Sequence, residues 1–218
     1  MIALIRYMVT ALLLSQRHLA PLLLFVGLLA VLTSSDSGPL AATYGSAAGA
    51  MLVCAVWSTM ALIGLEDRTH RSVVVVTAGS HLRVLLGWVA TALLWCLPLT
   101  AAGLFLPLLF GSHTFTAADA VLGVEAQLTC ALTGVAIGVV CSRLLFRRQG
   151  YALVAALVLL LAAMLGRGVS PVGVLLGDLQ NASDSADLLG SAGLLLAVAA
   201  GVLAGAVAIA QAVSLRRD

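Results

Sequence analysis

The sequence has no lysine, and all eleven of its basic residues are arginine, set against nine acidic ones. A phosphate-binding loop of the GxxxxGK[ST] type needs its lysine to reach the phosphates. No P-loop nucleotide hydrolysis can therefore reside in this chain. Charge of either sign is scarce: 9% of residues are charged, where a soluble domain carries about 25%. Such a chain cannot clothe a water-facing surface. Aromatic residues make up only 5%. The four cysteines, Cys54, Cys96, Cys130 and Cys141, all lie inside apolar runs and form no CxxC pair. That excludes a disulfide framework and a thiolate zinc site as organising features.

The four histidines, His18, His70, His81 and His113, fall at the edges of apolar runs and not within them. There is no HExxH, and Ser191 in Gly190-Ser191-Ala192-Gly193 has no histidine after it. A membrane hydrolase needs a nucleophile with a base in hydrogen-bond reach, so an intramembrane enzyme is disfavoured. No metal or other cofactor is expected on this chain, and nothing in it suggests nucleic-acid binding.

What the chain has in abundance is apolar length. Hydrophobic residues make up 62%, and mean hydropathy is +1.15. Runs of about 20 apolar residues are long enough to cross a bilayer core. The pattern predicts an all-α membrane protein with six spans, at about 19–34, 44–65, 84–110, 120–141, 150–166 and 190–213. Pro98 and Pro107 fall in the third span and are expected to bend it.

Residues 1–18 read differently. Ile2, Ile5, Val9, Leu12 and Leu13 recur at helical spacing, interrupted by Arg6, Thr10 and Gln16-Arg17. An amphipathic helix of this kind lies in the membrane interface, ahead of a six-span domain over 19–218. The short first apolar stretch ends in Ser15-Gln16-Arg17-His18, with no cleavage site for a signal peptide.

With six spans, every arginine except Arg167 falls on the side of the N-terminus. The positive-inside rule then places both termini in the cytoplasm of a multi-pass plasma-membrane protein. The segment Ser170–Leu179 is too short to span and too apolar for an ordinary loop. It is expected to form re-entrant or outer interfacial helix before the last span.

Few ionisable residues reach membrane depth, where they are functional candidates. Glu125 is one, in the fourth span. Trp57 and Trp95 fall well inside spans, away from the interfaces that tryptophan favours, and with Glu125 they are candidates for a substrate path. Three GxxxG pairs, Gly45/Gly49, Gly134/Gly138 and Gly201/Gly205, are suited to close helix packing. The most polar internal stretch is Glu66-Asp67-Arg68-Thr69-His70-Arg71, followed by the apolar Val73–Val76. A short charged helix here, between the second and third spans, suits docking to a soluble partner.

This layout resembles the permease subunits of ABC type-2 exporters over nearly the whole chain. Residues 2–17 look like that family's interfacial connecting helix. The stretch from Glu66 to Arg83 matches its coupling helix, and Ser170–Leu179 are similar to its short outer helices. The loop departs from the family's usual glycine and proline placement. The resemblance implies coupling to an ATPase through Glu66, Asp67, Arg68, His70, Arg71 and Val74. It also implies partner ATPase subunits that hold ATP and Mg, a second permease copy or paralogue, and export of an amphipathic or hydrophobic lipid, peptide or natural product. The alternative is a stand-alone membrane binding protein, such as the substrate-capture subunit of a vitamin importer.

Overall fold

The computed structural model describes residues 2–33, 40–65, 74, 79–110, 116–142, 149–166, 168, 170–181 and 188–215. Among them there are helices and no strands. In lipid every backbone N–H and C=O must be satisfied within the segment, and a helix achieves this. The elements are α1 (Ile2–Leu14), α2 (Leu19–Thr33), α3 (Leu40–Ile63), α4 (His81–Phe110), α5 (Ala117–Val140), α6 (Gln149–Leu165), α7 (Pro171–Asn181) and α8 (Leu189–Leu215).

Helix α5 is the hub, packing most extensively against α3 and α8 and also against α4. Its first turn is fixed by Asp119, whose carboxylate accepts the Thr116 backbone N–H at 3.0 Å and also the Thr116 hydroxyl. Its small residues set the spacing of the bundle. A Cβ on Gly134 would come within 2.7 Å of Ala55 Cβ and 2.9 Å of the Leu52 carbonyl, both on α3. A Cβ on Gly138 would meet Thr59 Cβ at 2.6 Å. Of the three GxxxG pairs, this one makes the closest backbone contact. Gly45 and Gly49 face the side chains of Leu179 and Met164, and Gly201 and Gly205 have nothing within 4 Å.

The outside of the bundle is as apolar as the inside. Leu23 and Val31 on α2, Leu153 and Val154 on α6, and Leu194 and Ile209 on α8 are all exposed. Exposed apolar faces on this scale mark contact with a membrane or a partner. Together with the long apolar helices they fit a multi-pass membrane protein.

Fewer than six of the described helices are long and apolar enough to cross, against the six spans expected. Four helices, α3, α4, α5 and α8, are long and apolar enough to cross, and there are five if the bent pair α1–α2 counts as one. The shortfall lies in α2, with 15 residues, and α6, with 17. At about 1.5 Å per residue both are shorter than a bilayer core of about 30 Å.

Helix α4 runs unbroken for 30 residues through Pro98 and Pro107, so the third apolar run holds no re-entrant break. Before the last helix, the expected helical segment is present as the short helix α7. It starts at Pro171, where a missing N–H costs nothing. It buries Val172, Leu175 and Leu179 and folds back so that Gly173 abuts the Gly166 carbonyl.

Candidate functional site: the helix elbow and the loop beside it

Between α1 and α2 the chain turns by 73°. The cause is local. Pro21 sits in the first turn of α2, where its missing N–H costs no helical bond. Gln16 adopts a left-handed φ of 55°. The end of α1 is closed by Ser15, whose N–H donates to Ala11 O at 3.1 Å and whose hydroxyl donates to Leu12 O at 2.8 Å. His18 Nδ1–H reaches the same Leu12 carbonyl at 3.0 Å.

Two contacts seat this elbow on the bundle. Arg17 Nη1 donates to the Gly64 carbonyl, just past the end of α3, at 3.2 Å. The His18 ring meets Trp95 of α4 edge-on, with centroids 5.1 Å apart at 74°. Lower down, the Cys54 thiol of α3 donates to Pro21 O at 3.3 Å. Helix α1 then lies along α4, burying Met8 and Leu12. Leu4 and Met8 crowd Gly87, where a Cβ would come within 3.1 Å and 3.0 Å of them. The inward stripe is thus the buried Met8 and Leu12 with the partly buried Leu4, while Ile2 and Leu13 of the expected apolar face point outward.

Through Gly64 the elbow is tied to the start of the segment that joins α3 to α4. Glu66, Asp67, Arg68, His70 and Arg71 lie outside the described residues. Val74 is helical and partly buried against the core. At the far end of the loop, Gly79 takes a φ of 75°, and the Ser80 hydroxyl accepts the Arg83 N–H at 3.2 Å, capping α4.

The three candidate path residues face different neighbours. Trp57 is 46% exposed on the outside of α3. Trp95 supports the elbow through its ring contact with His18, and its buried Nε1 has no hydrogen-bond partner among the described residues. Glu125 is partly buried beside Gly193 of α8, whose Cβ would lie 3.6 Å from Oε1, and its Oε2 has no partner among the described residues. Two buried polar side chains passed over in the sequence are Tyr44 and Gln127, both 0% exposed. A lone amide inside an apolar run was the signal for Gln127. All four cysteines are free and buried. No cluster of three metal-ligating side chains occurs among the described residues.

The seating of α1 predicts a measurable effect. In Gly87→Phe the new ring displaces Leu4 and Met8, and α1 lifts from α4. Trypsin is expected to cut at Arg17 about tenfold faster than in the wild type, the ratio given by about 1.4 kcal/mol of lost packing. Unchanged cleavage would mean that α1 is not held by this contact.

No protein-family model matches the sequence, and neither the curated proteins nor the solved structures include a match.

Proposed function

We propose that this chain is the permease subunit of an ABC exporter, moving an amphipathic or hydrophobic substrate with ATP hydrolysed by a separate ATPase. The observation that carries the reading is the elbow. A short N-terminal helix turns 73° away from the first apolar helix, lies on the base of α4, and is tied by Arg17 to the start of the 64–80 loop. This geometry suits a lever between a soluble motor and the spans. A push on the loop moves α3, α4 and α1 together. The chain has no lysine and so no P-loop, which agrees with a motor on another subunit. The short α7 folded back before the last helix is a second point of agreement with the exporter layout.

The reading requires α2 and α6 to cross as short spans, with both termini in the cytoplasm of the plasma membrane. Outward Leu and Val side chains on both helices suit lipid contact. A helix shorter than the bilayer is accommodated by local thinning at modest cost. With these crossings ten of the eleven arginines (all but Arg167) lie on one side, as the positive-inside rule requires. A second copy or a paralogue completes the path. The helices are overwhelmingly apolar, with 62% hydrophobic residues in the chain, which favours a lipid, an apolar peptide or a natural product.

A photo-crosslinking amino acid at position 70 tests the coupling site in living cells. The expected product is a covalent adduct with a soluble chain that carries a P-loop. Adducts with lipid alone would overturn the assignment of this loop.

A further inference from the structure

Three polar atoms in the seam of α3, α4 and α5 are enclosed and have no hydrogen-bond partner among the described residues. They are the Tyr44 hydroxyl and both ends of the Gln127 amide. Both side chains are 0% exposed. The two groups meet α5 at adjacent turns. Gly123 and Gln127 stand one turn apart on α5. The Tyr44 ring lies over Gly123, where a Cβ would come within 3.1 Å of Tyr44 Cδ2. The Gln127 amide presses on Gly103 of α4, leaving no room for a Cβ there.

Gly103 is itself unusual. Pro107 follows it by four residues in a continuous helix, and proline has no N–H for the carbonyl one turn back. The Gly103 carbonyl therefore loses its regular helical donor at the point where the Gln127 amide touches α4. Buried polar groups in native proteins are satisfied by protein or by ordered water. Inside a membrane the demand is stronger, because lipid supplies no partner.

We propose that this seam is a hydrated polar site inside the bundle, in which water bridges Tyr44, Gln127 and the Gly103 carbonyl. The chemistry selects a small neutral molecule that both donates and accepts. The amide offers both functions, the phenol offers either, and the carbonyl accepts. None of the three carries a formal charge to hold an ion, and the Asp119 carboxylate that acts on Tyr44 from the first turn of α5 is engaged by Thr116. Two to four polar partners are what a buried water needs. Water also supplies the donor that Pro107 removes, while α4 stays one helix. The inference is independent of the exporter reading.

Hydroxyl-radical labelling of the intact protein in lipid nanodiscs, initiated by X-ray radiolysis and read by mass spectrometry, tests the site. Radiolysis makes radicals from water where the water sits. Phe25 is the internal control: a ring also 0% exposed but set in the apolar core. Tyr44 is expected to be oxidised about tenfold faster than Phe25, as a ring touching bound water should be. Gln127→Leu should bring Tyr44 down to the Phe25 rate. Oxidation of wild-type Tyr44 no faster than Phe25 would overturn the proposal, whether or not the variant folds. So would unchanged Tyr44 labelling in a folded Gln127→Leu protein.

Discussion

Gly138→Leu is expected to destabilise the bundle by about 3 kcal/mol or more, at the upper end of what overpacking costs. The first added carbon alone would lie 2.6 Å from Thr59 Cβ and 3.1 Å from the Val56 carbonyl. Neither neighbour can yield. Thr59 is buried, with its hydroxyl donating to Ala55 O at 2.7 Å, and the Val56 carbonyl is helix backbone. The helices α3 and α5 must therefore part. In lipid this is severe, because close packing of small residues, and not the hydrophobic effect, holds spanning helices together. Gly201→Leu is the control. Nothing lies within 4 Å of that glycine, so its cost should stay within about 0.5 kcal/mol, as at an open surface site. Unfolding of both variants in detergent micelles or bilayers measures the difference. Equal losses at the two positions would contradict the central placement of α5 against α3.

Arg17→Ala is expected to leave the fold nearly intact and to break communication. The guanidinium is exposed, and its bond to Gly64 O is 3.2 Å long, so the net loss of stability should be about 1 kcal/mol or less. Yet this bond is what joins the elbow to the end of α3. Under the exporter reading, its loss lets the 64–80 loop move without α1. Stimulation of the partner ATPase by substrate should fall about fivefold or more, since coupling energies between sites run at about 1–3 kcal/mol. Reversing charge at Glu66 should act in the same direction from the loop side. Wild-type stimulation in a stably folded Arg17→Ala protein would remove the lever from the account.

The class and most helix positions were legible in the sequence, because apolar length and scarce charge admit few alternatives. The separation of α1 from α2 was legible too. Ser15-Gln16-Arg17-His18 interrupts the apolar run, and the apolar residues before it recur at helical spacing. The short α7 was visible as a segment too apolar for a loop and too brief to cross. The span count was not, because hydropathy does not say where a helix stops. Helices α2 and α6 come out at 15 and 17 residues. The three GxxxG pairs look alike in sequence. Only the fold shows that Gly134 and Gly138 face α3 while Gly201 and Gly205 face outward. Trp95 looked like a mid-span residue, and its partner His18 lies in the distant elbow between α1 and α2. The Tyr44–Gln127 seam depends on three helices and a proline one turn beyond the contact, and no local pattern brings these together.

The most direct test of the exporter reading is purification of the tagged chain from its native host in mild detergent, with mass spectrometry of what accompanies it. The account predicts a soluble P-loop ATPase in stoichiometric amount, with a second copy of this chain or a paralogous membrane chain beside it. Recovery of the chain alone, under conditions in which a known ABC complex from the same membranes stays whole, would contradict it.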